Sequence, residues 1–143
     1  MEQVNIYCMT TAKGARQQKA RFGFVLELIR EGREPVTLTK FGETEGTPNR
    51  VELECVLKAL SRMTKPSRIH IYTESWYVSN GIQDLDKWRA DGWKNKKGQP
   101  IANIEQWQTL NRIRFEHDEF LVHIAEPNEY RNWLMSELHR YNA

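Results

Sequence analysis

The residue pattern predicts an α/β domain built on a mixed β-sheet, and three observations carry that expectation. Residues 4–41 alternate apolar and polar side chains with period two through three consecutive segments. From Thr47 onward helical spacing takes over, interrupted by two short β-rich runs. No internal repeat, low-complexity tract or linker divides the 143 residues, so residues 1–143 are expected to form a single domain.

Each element has its own signal. Val4, Ile6 and Cys8 alternate with Asn5 and Tyr7 in a first strand, and Phe22, Phe24, Leu26 and Leu28 alternate through a longer second one. The turn sequence Glu31-Gly32-Arg33-Glu34-Pro35 leads into a third strand, Val36 to Phe41, so the three read as an antiparallel meander. Thr47 is placed to N-cap a helix with Pro48 at its first position, where a missing N–H costs nothing. Leu53, Val56, Leu57 and Leu60 follow at helical spacing, and Lys65-Pro66 ends the element. Arg68 to Thr73 reads as a buried central strand. Ser75 to Asp91 reads as one broken or two short helices, interrupted near Gly81. Asn103 and Gln106 make a capping-box start for a helix with Ile104, Trp107, Leu110 and Ile113 on one stripe. Phe120 to Ile124 is the last strand, and Pro127 opens a terminal helix with Tyr130, Trp133, Leu134, Leu138 and Tyr141 on one face.

Composition narrows the function classes. Hydrophobic residues at 39% and charged residues at 28% are those of a folded globular chain rather than a disordered one. No apolar run approaches the roughly 20 residues of a membrane helix. Met1-Glu2-Gln3 has no basic, then apolar, leader pattern, so a cytoplasmic protein is expected. Cys8 and Cys55 form no CxxC and sit in apolar patterns, as buried thiols do. Net charge is only +2, yet Lys13, Arg16, Lys19 and Arg21 crowd one stretch and Lys87, Arg89, Lys94, Lys96 and Lys97 another. Such patches either bind phosphate backbones or are solvated loops.

Four motifs in order carry a family likeness: Asn49-Arg50-Val51-Glu52-Leu53, Tyr72-Thr73-Glu74-Ser75-Trp76-Tyr77-Val78, Trp88-Arg89-Ala90-Asp91-Gly92-Trp93-Lys94, and Pro100-Ile101-Ala102-Asn103 followed by Trp107-Gln108 and Leu110. They resemble the ribonuclease H family, the bacterial type 1 enzymes in particular. The resemblance implies a ribonuclease H-like fold, a five-stranded mixed sheet with helices on both faces. It also implies a divalent-metal hydrolase, using Mg²⁺ or Mn²⁺, that cuts the RNA strand of RNA–DNA hybrids. Asn49 and Arg50 then match hybrid-contacting positions, and Lys87, Arg89, Lys94, Lys96 and Lys97 match the basic substrate-binding "handle".

The family's acids carry over unevenly. Glu52 matches the helix acid, and Glu74 matches the fourth-strand Asp with one methylene more. Met9 falls on the first-strand Asp and Asn132 on the last-helix Asp, while Glu129 stands one helical turn before Asn132 as a substitute acid. A thioether is a soft, neutral ligand poorly matched to Mg²⁺ or Mn²⁺, so Glu52 and Glu74 are left to hold metal weakly, if at all. The His-bearing loop before the last helix is absent, and Trp76 replaces a polar substrate contact. His70, His117, His123 and His139 show no metal-ligand spacing, and His70 and His123 read as ordinary sheet residues.

The expectation is therefore a ribonuclease H-like protein that binds RNA–DNA hybrid or another duplex, with a degenerate two-metal site and weak or absent nuclease activity. Two alternatives stay open: an active metal-dependent endoribonuclease, and a structural or interaction domain whose nucleic-acid surface is vestigial.

Overall fold

The computed structural model describes residues 2–140. Strands β1 (Gln3–Thr10), β2 (Gln18–Ile29) and β3 (Val36–Gly46) are followed by α1 (Pro48–Leu60), β4 (Arg68–Thr73), α2 (Trp76–Ala90), α3 (Ile104–Arg114), β5 (Glu119–Ile124) and α4 (Arg131–Arg140). The sheet order is β3-β2-β1-β4-β5. The β1–β2 and β2–β3 pairs are antiparallel, whereas β4 runs parallel to β1 and β5 parallel to β4. The sheet is mixed and five-stranded, as the pattern required.

Side-chain parity sorts the sheet into two faces. Val4, Ile6, Cys8, Phe22, Phe24 and Leu26 pack with Leu53 and Val56 of α1 and with Trp107 and Leu110 of α3. The opposite parity sends Tyr7, Met9 and Val25 against Leu134 and Leu138 of α4. Both faces of β1 are thus buried, and helices cover the sheet on both sides. Cys8 and Cys55 are buried, and the neighbouring Cys55 thiol together with burial holds Cys8 well above the ordinary thiol range. The third strand runs on to Gly46 because it stays paired with β2 to its end, where Gly46 opposes Gln18. Pairing rather than alternation sustains it there.

Three local expectations are corrected. The segment after Ser75 is one unbroken helix, with the Ser75 side chain accepting from Val78 N. Gly81 is a point of close approach within it: a Cβ there would lie 2.1 Å from the Trp107 ring. Asn103 makes no capping box, because it sits at φ 59° with no cap hydrogen bond. Its amide donates to Tyr77 Oη at 2.9 Å, and Gln106 donates to Glu54 at 3.2 Å. The last helix begins at Arg131 rather than at Pro127. Ahead of it, Asn128 Oδ1 accepts from Tyr130 N at 3.0 Å and Tyr130 Oη donates to Glu27 at 2.9 Å, so the segment is tied to the sheet before helix can form. Thr47 does cap α1, accepting from Arg50 N at 3.3 Å with Pro48 at the start. Tyr141, expected on the apolar face of α4, lies outside the described residues. No helix among those described is long and apolar enough to cross a membrane.

Candidate functional site

Parallel pairing brings the carboxyl ends of β1 and β4 side by side, with Tyr7 opposite Tyr72. Crevices at such strand ends are where open α/β sheets hold ligands. Two clefts open there. One is lined by residues that include Met9, Asn49, Glu52, Glu74, Trp76 and Met135, and the other by residues that include Met9, Thr73, Glu74, Arg131 and Leu134. The geometry unites Met9, Glu52 and Glu74, which stand far apart in sequence.

The two acids are engaged differently. Glu52 is buried at 7% exposure on the first turns of α1 and accepts from Thr73 Oγ1 at 2.5 Å. Burial raises its pKa above the usual carboxylate range; the Thr73 hydrogen bond opposes this and the Glu74 charge adds to it. Glu74 is half-exposed and forms an ion pair with Arg131, whose Nε donates to Oε1. The first residue of α4 thus places a guanidinium on the carboxylate expected to face a metal. Asn132 is exposed and lines neither cleft, and Glu129 is likewise exposed. Arg131, Leu134 and Met135 are the α4 residues that look into the site.

This donor set does not fit a pair of hard divalent cations. Met9 is 6% exposed and packed among Tyr7, Val25, Leu134 and Leu138. Glu52 is held in a setting that disfavours its charge, and Glu74 already faces a cation. Among the described residues no group of three or more His, Cys, Asp or Glu side chains is arranged to hold a metal ion.

The basic residues form an outer rim. Asn49 and Arg50 are exposed on the first turn of α1. Lys87 and Arg89 close α2, and a mostly exposed loop then leads to α3. Gly92 at φ 71° and Trp93 at φ 63° turn it outward, and Trp93 N donates to Trp88 O at 2.7 Å. A positive φ at a bulky residue is costly and persists only where packing enforces it. Here the Trp93 ring lies 6.5 Å from Trp88, which in turn meets Trp107 edge-on at 5.3 Å. Beyond them, Asn95 Oδ1 accepts from Lys97 N and Gln99 N, closing a tight loop that leaves Lys94, Lys96 and Lys97 at its outer surface. The tryptophans are the rigid root of this loop, and the lysines are its solvent-facing tip.

Sequence reasoning missed two groups. Arg131 carries no signal of its own, because its partner Glu74 is remote in the chain. Glu27 had one: it is a charge inside an apolar strand. It is 6% exposed and accepts from Asn5 Nδ2 at 3.0 Å, Tyr7 Oη at 3.0 Å and Tyr130 Oη at 2.9 Å. Burial and the Glu27 carboxylate push the Tyr130 phenol up to about 12.

Comparison with known proteins agrees with the topology. The RNase H family model matches residues 1–126, stopping short of α4. A Ribonuclease H of Janthinobacterium sp. (strain Marseille) is 33% identical over 118 residues, covering 82% of this chain and 78% of that protein. A Ribonuclease H of Ruegeria sp. (strain TM1040) is 40% identical over 80 residues, 55% of this chain and 51% of its own length. Among solved structures, a type 1 RNase H with the type 2 active-site motif superposes with a TM-score of 0.74 at 23% identity, covering 96% of this chain and 72% of that one. The foamy viral protease-reverse transcriptase in complex with RNA/DNA hybrid gives a TM-score of 0.66 at 16% identity, covering 96% of this chain and 19% of that one. With the family model spanning residues 1–126 and the strand order and helix layers in agreement, the chain belongs to the RNase H family.

Proposed function

We propose that residues 1–143 act as a single cytoplasmic domain that binds RNA–DNA hybrid, or another nucleic-acid duplex, without hydrolysing it efficiently. The observation that carries this reading is Arg131 seated on Glu74, beside a buried Met9 and the disfavoured charge of Glu52. A guanidinium is a fixed +1 charge with hydrogen-bond donors; it can neutralise Glu74 but cannot activate water as a divalent ion does. If metal assistance supplies several kcal/mol to this chemistry, its loss slows hydrolysis by roughly 10³-fold or more.

Binding needs none of that machinery. Asn49 and Arg50 at the α1 N-terminus, Lys87 and Arg89 at the end of α2, and Lys94, Lys96 and Lys97 on the loop that follows would meet sugar and phosphate. Hydroxyl contacts in the wide minor groove would then distinguish RNA from DNA. The test is to titrate a labelled hybrid with the protein by fluorescence anisotropy, then incubate the same complex with Mg²⁺ or Mn²⁺. Salt-dependent binding without cleavage is expected. Chelator-sensitive cleavage at enzyme-like rates, abolished by Glu52→Gln, would replace this reading with an active nuclease in which Arg131 swings aside. No binding at low salt would leave the basic rim without a nucleic-acid role.

A further inference from the structure

Helix α1 packs on β1 and β2 more than on the edge strand β3, and this leaves a groove of about 670 Å³ between β3 and α1. It shares no lining residue with the two clefts around Met9. Phe22 and Phe24 form its floor, 5% and 2% exposed, so neither ring offers a free face. Its walls are charged. Lys40 comes from β3, Arg50 and Lys58 from α1, and Arg62 from the turn that follows, and all four are exposed.

Charge in the groove is unbalanced. Among the described residues no ion pair involves Lys40, Arg50, Lys58 or Arg62. Of the three carboxylates at the groove, Glu54 accepts from Gln106 of α3 at 3.2 Å. Glu43 and Glu45 stand opposite Arg21 and Lys19 in the β2–β3 register, whereas Lys40 stands opposite Phe24. Strand parity therefore turns Lys40 into the groove and the two glutamates to the other face, beside cations of their own. Four cations against the one carboxylate of Glu54 leave the groove at a net charge of +3. Arg50 and Lys58 are two turns apart on α1, about 12 Å along its axis, and Arg62 lies beyond them. The charge is strung along a track rather than gathered at a point.

A chain of phosphates matches that layout, whereas a small anion would engage only one end of it. A duplex, stiff over about 150 base pairs, cannot bend into a gap between one strand and one helix, but a single strand can. We propose that the β3–α1 groove is a track for single-stranded nucleic acid, in which an unpaired extension leaves the bound duplex at Arg50 and runs past Lys58 and Lys40 to Arg62, held by its phosphates. The starting point at Arg50 rests on the duplex-binding reading above. With the floor rings covered, no base stacks there, so the track is indifferent to sequence.

Fluorescence anisotropy tests the track with a blunt RNA–DNA hybrid and four hybrids that each extend one end of one strand by about ten unpaired nucleotides. At least one extended hybrid should bind about tenfold or more tightly than the blunt one at about 50 mM salt, with a log–log salt slope steeper by about 0.7 for each phosphate newly held. Lys58→Ala/Arg62→Ala should remove that gain and leave blunt-hybrid affinity unchanged. Arg33→Ala/Arg112→Ala, an equal change of charge at exposed residues outside the groove, should keep it. No gain from any extension, a gain that survives Lys58→Ala/Arg62→Ala, or a gain lost equally in Arg33→Ala/Arg112→Ala would each overturn the track. The blunt hybrid reports the duplex reading separately. Blunt binding with no gain removes the track alone, and no binding of any hybrid removes both. An extended hybrid bound through Lys58 and Arg62 without blunt binding keeps the track and removes the duplex reading.

Discussion

Replacing Met9 with Asp returns a carboxylate to the end of β1, where the family keeps one, and the surroundings of Met9 set what that costs. Met9 is 6% exposed, and its neighbours in the small core are Tyr7, Val25, Leu134 and Leu138. Removing a buried Met side chain costs about 2–5 kcal/mol, and burying a carboxylate without a partner adds to that. For a chain of this size each kcal/mol shifts Tm by roughly 2–4 °C, so Met9→Asp should lower Tm by about 10 °C or more. Met9→Asn, alike in size but neutral, separates the packing effect from the introduced charge. The metal step belongs in an Arg131→Gln background, because Arg131 shares the cleft and would otherwise pair with the new carboxylate. In Met9→Asp/Arg131→Gln no guanidinium competes for the three acids, and Mn²⁺ at about 100 times its Kd should return roughly 2.7 kcal/mol. Scanning fluorimetry with and without Mn²⁺ reads both effects. A Tm unchanged by Met9→Asp would refute the packing argument. Equal Mn²⁺ responses from the Asp and Asn double variants would refute the match of Met9 to the first-strand acid.

Three further outcomes follow from other parts of the fold. Changing Lys94, Lys96 and Lys97 together to Ala should weaken hybrid binding and flatten its log–log salt slope by about 0.7–0.9 for each phosphate no longer neutralised, with Tm unaffected; an unchanged slope would exclude the loop tip from the interface. Gly81→Ala should cost about 1–3 kcal/mol or more, seen as a lower midpoint in urea, because the new Cβ falls 2.1 Å from a Trp107 ring atom that is packed on every side. His117 accepts from Ser67 N at 3.2 Å, and burial lowers its pKa below the ordinary histidine value of 6.5 while Glu116 and Asp118 oppose. Its neutral form is favoured in the folded state, so its contribution is present above pH 6.5 and is lost as pH falls toward the folded-state pKa. The Tm of wild type should therefore drop between neutral pH and pH 5 more than that of His117→Gln, and parallel curves would remove His117 from the account.

The amino-acid order determined the parts of this protein that depend on short range. Alternation along Val4–Cys8 and Phe22–Leu28 sorted side chains between the two faces, and Thr47-Pro48 started α1, because strand parity and capping act within a few residues. The four motifs from Asn49 to Leu110 pointed to the family for the same reason, each being contiguous. Tertiary structure decided whatever joins remote residues. Gly81 reads as a helix breaker until Trp107 is packed against it, and Asn103 reads as a cap until Tyr77 takes its amide. Pro127 reads as a helix start until Glu27 and Asn128 bind Tyr130. Arg131 and Glu74 are 57 positions apart, and His70 and His123 are 53 apart, so neither pair has any periodicity for a sequence to display. Arg131 and Glu74 meet because α4 begins beside the cleft at the carboxyl end of β4, and the two histidines meet because β5 runs parallel to β4.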